Sequence, residues 1–307
     1  MPIKIPESLP AYTELAKENI FVMDEQRAFT QDIRPLKIAI LNLMPTKEST
    51  EIQLLRMLSN TPLQIDITLV IPSEHVSKHT PHEYLERFYK HFSDIESECF
   101  DGLIITGAPL EHIDYREVDY WDELCRIFKW SDTHVFSTLY ICWAALAGLF
   151  YHYGIDKLPL PEKRSGIFTY RNLIPTEPLM RGLDDVFRMP QSRHATVSRA
   201  DVSEISDLSI LAESDDGDVG IAVSENGRVF ITGHLEYDRG TLNDEYNRDI
   251  GRGLGPKEPE NYYDDGTPVL TWRSYATLIY TNWINYYVYQ RTPYDINEVK
   301  SRKERKQ

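Results

Sequence analysis

Cys142 stands at a seam between two kinds of sequence. Residues 134–141 form a short apolar run rich in β-branched and aromatic side chains, the pattern of a buried parallel strand. Residues 143–150 are rich in Ala and Leu and contain no Pro, which favours helix. A strand-to-helix seam puts the thiol at the carboxyl edge of a sheet, where α/β folds hold their ligands. It also puts the sulfur at a helix N-terminus, where unpaired N–H groups and the dipole favour a thiolate. This is the layout of a nucleophile elbow with Cys as nucleophile, although the usual flanking glycines are missing. The competing reading is a buried structural Cys, a common environment for this residue.

A nucleophilic thiol needs a base and a group that orients the base. Among nine histidines, His234 differs from the rest: it follows a stretch at 228–233 that reads as a strand, and it precedes Glu236 by two positions. In an extended segment, positions two apart share a face. Glu236 can then accept the imidazole N–H and fix its tautomer. Gly233 is expected to give the backbone freedom at the turn. Alone, His234 reads more readily as a surface His beside an acidic loop. Together, Cys142 and the His234–Glu236 pair each supply what the other lacks.

The elements that must position these residues alternate. Strands are expected at 35–44, 63–71, 100–107 and 134–141. Helices are expected at 51–59, with Ser49 or Thr50 as N-cap, at 81–92 and at 118–130. This order predicts a parallel sheet with right-handed crossovers, an α/β protein of the flavodoxin-like three-layer αβα class. After Gly154 turn signals multiply, at Pro159, Pro161, Gly166, Gly182, 215–217 and 225–227. The last is an Asn-Gly hairpin joining 219–223 to 228–232, so antiparallel additions to the same sheet are expected in the C-terminal half. Residues 237–250 read as a polar helix. Residues 272–289 read as a long aromatic helix whose rings serve packing. Residues 1–35 are expected to form an arm packed on the core or on a partner subunit, 36–295 a single catalytic α/β domain, and 296–307 a disordered tail.

Composition narrows the class. The chain has 307 residues, 41% hydrophobic and 26% charged, enough for a sizeable core. Its net charge of −15 argues against partners that need a basic surface, so no nucleic acid and no membrane partner is expected. A local Lys/Arg pocket for an anion remains compatible with that charge. The three cysteines, Cys99, Cys125 and Cys142, show no Cys-x-x-Cys spacing, so neither a metal site nor a disulfide framework is expected. The first residues lack the apolar stretch of a signal peptide, and no apolar run reaches membrane-spanning length. A cytoplasmic location is expected.

In this order the motifs resemble the homoserine O-acyltransferase family of the class I glutamine amidotransferase-like superfamily. The resemblance runs from residue 5 to about 294 and is carried by segments 40–47, 106–109, 142–145, 190–194 and 233–238. It implies acetyl transfer from acetyl-CoA to L-homoserine by a ping-pong route through an acyl-enzyme, in methionine biosynthesis, with no permanently bound cofactor and a homodimeric assembly. It implies Cys142 as acyl-accepting nucleophile, His234 as general base and Glu236 as its partner. Lys47 and Trp143 fall at the oxyanion hole, and Lys163, Ser192 and Arg248 at the substrate. Glu111, with Ser192, falls where the acyl donor is selected. Glu there resembles acetyl-using members and Gly succinyl-using ones, since Glu111 would repel the succinyl carboxylate and occupy its space. Read without the family, Lys47 is a turn residue, Lys163 a loop charge and Arg248 an exposed helix charge, although Arg248 can clasp a carboxylate bidentately. The rival readings are succinyl transfer from succinyl-CoA, a glutamine amidotransferase-type hydrolase, and a non-enzymatic sensor with Cys142 as a redox switch.

Overall fold

The computed structural model describes residues 3–17, 22–23, 34–73, 80–292 and 296. The first half runs β1 (Ile3–Lys4), α1 (Pro10–Lys17), β2 (Val22–Met23), β3 (Leu36–Leu41), α2 (Lys47–Leu58), β4 (Ile65–Ile71), α3 (His82–Phe88), β5 (Tyr89–His91), α4 (Phe92–Ile95), β6 (Phe100–Ile105), α5 (Trp121–His134), β7 (Val135–Ile141) and α6 (Trp143–Tyr153). The second half adds β8 (Lys157–Asn172), β9 (Val186–Val197), α7 (Arg199–Glu204), β10 (Leu208–Ser214), β11 (Val219–Ser224), β12 (Arg228–Ile231) and α8 (Thr241–Gly251). A small pair, β13 (Tyr263–Asp264) and β14 (Thr267–Pro268), precedes α9 (Arg273–Asn282), which continues as a π-helix over Trp283–Tyr289.

β3 shows how the layers arise. Ile38 and Ile40 belong to one buried apolar cluster, and Ala39 and Leu41 to another. A strand buried on both faces needs helices on both. Leu54 and Leu58 of α2, Trp272, and Ile279 of α9 cover the first face. Leu124 and Phe128 of α5, with Leu146 and Ala147 of α6, cover the second. The result is the expected three-layer αβα arrangement. The main sheet has the order β2-β1-β4-β3-β6-β7-β12-β11-β10-β8-β9, with β5 on the side of β4. Neighbours from β1 to β12 pair in parallel, while β12, β11, β10, β8 and β9 pair antiparallel.

Three expectations change. Helix α2 starts at Lys47, one turn earlier than read, with Thr46 at its N-cap position. Ser49 and Thr50 are not caps, because both hydroxyls donate back to the Thr46 carbonyl from inside the helix. The helix expected over 81–92 breaks into α3, β5 and α4, since Tyr89–His91 pairs with Leu69–Ile71. The buried ring of Tyr89 puts its hydroxyl on Glu51 and Asn42, a tertiary contact that overrides helical propensity. The turn signals at Pro159, Pro161 and Gly166 lie inside the long strand β8. Its pairing with β9 shifts register between Pro159 and Arg164, and β10 joins β8 only at Tyr170–Asn172. Prolines are tolerated at such an irregular, half-paired stretch.

Candidate active site

β7 ends at Ile141, α6 begins at Trp143, and Cys142 between them has φ 51° and ψ −117°. A side-chain-bearing residue held there carries strain of about 1–3 kcal/mol. Its backbone is over-determined by neighbours. The Cys142 N–H donates to the Ile231 carbonyl at 2.7 Å, and its carbonyl accepts from Ala145 and Leu146 at 2.9 and 3.2 Å. Because β12 lies parallel beside β7 with Ile231 opposite Ile141, the residues following the two strands emerge side by side. Cys142 leaves one strand and His234 leaves the other. Between them lies Gly107, just past β6. A Cβ at Gly107 would sit 3.2 Å from the Cys142 Cβ and 3.5 Å from the His234 Cε1.

His234 is held on three sides. Its N–H donates to the Pro190 carbonyl at 2.9 Å. Its Nδ1 lies 2.7 Å from Glu236 Oε1, and the Tyr237 ring stacks on the imidazole at 4.1 Å. With Nδ1 engaged, Nε2 is the nitrogen left for another partner. Burial alone would depress the imidazole's affinity for a proton. The negative charges of Cys142 and Glu236 outweigh it and hold the His234 pKa well above its ordinary value. Gly233 serves a different purpose from the one expected. It is not among the positive-φ residues, but a Cβ there would lie 2.6 Å from the Pro190 carbonyl oxygen. The strand end needs room, not a left-handed backbone.

A cavity of about 500 Å³ opens over these groups and is lined by Cys142, His234, Glu111, Lys163, Ser192 and Arg248. Glu111 is desolvated, which raises its carboxyl pKa against the opposing pull of His234, His112 and Lys163. Ser192 Oγ donates to Glu245, whose other oxygen accepts from the Tyr237 hydroxyl at 2.8 Å. Lys163 Nζ lies 3.0 Å from Asp249 and 3.7 Å from Glu245. Arg248 Nε donates to Asp249 at 2.9 Å, and its side chain stays 47% exposed. The cavity therefore presents two cations, each already paired with a carboxylate, beside Cys142 and His234.

Lys47 and Trp143 sit differently from the other candidates. Lys47 Nζ turns inward and donates to the Asn42 and Met44 carbonyls at 2.7 and 3.2 Å. Burial lowers its pKa to about 8 against the attraction of Glu51. Its ammonium braces the loop before α2, and it is the loop residues Met44, Pro45 and Thr46 that line the Cys142 cavity. The Trp143 ring is fully buried and packs beside Tyr115. Its backbone N–H is the first of α6 and belongs to the turn that has no intrahelical acceptor.

Sequence reasoning passed over Gly107, Tyr237, Glu245 and Asp249. A signal existed for two of them. Glu245, Arg248 and Asp249 are spaced i, i+3 and i+4, which puts them on one helix face. Among the described residues no group of three or more His, Cys, Asp or Glu is arranged for a metal ion, and no helix is long and apolar enough to cross a membrane.

Comparison with known proteins shows the family and the fold. Residues 2–294 match the homoserine O-succinyltransferase family model. A homoserine O-acetyltransferase of Methanomethylophilus alvi is 58% identical over 304 residues, covering 97% of this chain and 98% of its own. One of Acetivibrio thermocellus is 55% identical over 305 residues, covering 98% of this chain and 100% of its own. A solved glutamine amidotransferase from Thermotoga maritima shares the fold, with a TM-score of 0.56 at 9% identity over 82% of this chain and 98% of that one. Another from Methylobacillus flagellatus has a TM-score of 0.53 at 12% identity, over 83% of this chain and 95% of that one. With near-complete coverage by the family model and by relatives above half identity, the chain belongs to the homoserine O-succinyltransferase family.

Proposed function

We propose that this protein is a homoserine O-acetyltransferase, moving acetyl from acetyl-CoA to the hydroxyl of L-homoserine through a thioester on Cys142. The reading is carried by the meeting of Cys142 with the His234–Glu236 pair at the ends of neighbouring strands. The names borne by the relatives support the substrate assignment.

In the first half-reaction the Cys142 thiolate attacks the thioester carbonyl carbon of acetyl-CoA, and the carbonyl electron pair moves to oxygen. N–H groups at Trp143 and in the loop before α2 stabilise that oxyanion; one such donor is worth ~3 kcal/mol. The intermediate collapses, the bond to the coenzyme A sulfur breaks, and the departing thiolate takes the proton from His234. One thioester replaces another, so the exchange is nearly isoenergetic and suits Cys over Ser. Acetylated Cys142 carries no charge. The strongest influence holding a proton on His234 is then gone, and burial pushes the imidazole toward its neutral form. His234 thereby becomes a base for the second half-reaction. It takes the homoserine hydroxyl proton as that oxygen attacks the acetyl carbon, and Cys142 leaves as thiolate, restoring the original pair. Glu236 holds Nδ1 throughout. Arg248 receives the homoserine carboxylate on the guanidinium edge that Asp249 does not occupy, with Lys163 and Ser192 close by.

The family description names a succinyl donor, and Glu111 favours acetyl over it. Burial already raises the Glu111 carboxyl, so a second carboxylate in the same pocket is disfavoured by charge and by dryness. Steady-state kinetics with homoserine and each donor test this. Acetyl-CoA is expected to give the higher kcat/KM by about tenfold or more, a difference of roughly 1.4 kcal/mol. A preference for succinyl-CoA would reverse the assignment.

A further inference from the structure

At Pro45 and Pro109 the cavity that holds Cys142 meets two others. One, of about 370 Å³, has a largely apolar wall that includes Leu43, Ile71 and Val118, with Glu117 and Asp119 also lining it. The other, of about 690 Å³, is lined by Lys47, Glu48, Ser49, Thr80, Arg248 and Arg252. Arg248 lines both this outer cavity and the one around Cys142, whereas Arg252 lines the outer one alone.

The two openings suit different molecules. If the protein takes acyl-CoA, as read above, it must hold a long neutral arm ending in a nucleotide with three phosphate groups. The chain's net charge of −15 opposes such an anion, so local cations have to offset the general field. Arg252 follows Arg248 by four residues at the end of α8, with its N–H donating to the Arg248 carbonyl at 3.1 Å. That spacing puts both on one face. Both side chains are exposed, and Arg252 has no ion pair among the described residues. Guanidinium forks match phosphate oxygens bidentately. The apolar cavity offers the opposite. It carries two carboxylates against the single Glu48 of the outer cavity, and among the described residues its cation is Lys47, shared with the outer cavity, whose ammonium is already given to two carbonyls.

We propose that the phosphates of the acyl-CoA nucleotide dock on Arg252 in the outer cavity, with Arg248 beside them; in a ping-pong reaction coenzyme A departs before homoserine binds, so the free edge of Arg248 serves each anion in turn. The pantetheine arm then passes Pro45 and Pro109 to bring the thioester to Cys142. The plainer role for Arg252, a cation completing the dipole at a helix C-terminus, affects stability and treats every donor alike.

Arg252→Gln separates the two. In a ping-pong reaction kcat/KM for each substrate reports only its own half-reaction. The variant is expected to lose about tenfold in kcat/KM for acetyl-CoA, the scale of one charge-assisted contact, with kcat/KM for homoserine unchanged. S-acetylpantetheine, which lacks the nucleotide, is expected to serve variant and wild type equally. Glu117→Gln, in the apolar cavity, is expected to leave acetyl-CoA kinetics as they were. Equal losses on both donors, or no loss on acetyl-CoA, would overturn the proposal. Calorimetric titration with coenzyme A keeps this test apart from the activity assignment. Binding by the wild type that weakens in Arg252→Gln supports the docking site even if homoserine is not acetylated, and binding that does not weaken overturns it.

Discussion

Glu236 Oε1 lies 2.7 Å from His234 Nδ1, and both side chains are buried beside Cys142. The carboxylate thus fixes the imidazole's orientation and leaves Nε2 for the sulfur. Glu236→Gln keeps the shape and removes the charge. It is expected to lower kcat by about 10²–10⁴-fold with KM little changed, as for the matching change in other triads. Wild-type kcat in that variant would exclude Glu236 as the orienting group.

The pKa of His234 depends on its sulfur neighbour. It is raised in the folded protein, with Cys142 the strongest upward influence and burial opposing. Removing that charge must move the pKa down. Histidine NMR titration of Cys142→Ala is expected to show a lower His234 pKa than wild type, and the acetylated enzyme should show the same direction. An unchanged or higher value in Cys142→Ala would contradict the role switch between the two half-reactions.

Gly107 sits where a side chain would intrude on both reacting groups. The added methyl of Gly107→Ala would stand 3.2 Å from the Cys142 Cβ, close enough to force a shift of a few tenths of an ångström. Misplacement on the ångström scale costs about 10²-fold in rate, so kcat/KM is expected to fall roughly 10-fold while the melting temperature barely moves. A large drop in stability with normal activity in the folded fraction would show that Gly107 serves only packing.

Much of this arrangement was legible in the residues. The apolar run ending at Cys142, and the Gly233–His234–x–Glu236 pattern after another strand, picked out the three side chains proposed above as nucleophile, base and orienter. Strand order explains why they meet: β7 and β12 are far apart in sequence and adjacent in the sheet. What sequence could not convey came from tertiary contacts. Tyr89 is drawn into a strand by β4 and a buried Glu51, which splits the helix expected at 81–92. Pro159 and Pro161 lie in an irregular stretch of β8, where their turn signals mislead. Lys47 reads as a turn residue, and the sequence does not convey that its ammonium is satisfied by its own loop's carbonyls.

Lys47 also gives the fold a pH dependence. Its folded pKa of about 8 lies below the ordinary 10.5. Between those values the unfolded chain binds a proton that the folded chain does not, so this residue's contribution to stability rises with pH across that window. Below pH 8 the ammonium is charged in both states and its burial is a cost. Lys47→Met removes the titration, so the stability of the variant relative to wild type should be highest near pH 7 and decline toward pH 10. Thermal melts at the two pH values measure it, and a constant gap would contradict the assignment.

Glu111→Gly is expected to raise the ratio of kcat/KM for succinyl-CoA to that for acetyl-CoA by about tenfold or more, because it removes both the like charge and the bulk. No gain in relative succinyl use would remove Glu111 from donor selection.

The most direct test looks for the acyl group itself. Wild-type protein is incubated with labelled acetyl-CoA in the absence of homoserine, quenched in acid, digested and analysed by mass spectrometry. The account predicts one acetyl thioester, on Cys142, that disappears when homoserine is added and reappears as O-acetylhomoserine. Acetyl transfer to homoserine without any label on Cys142 would contradict it.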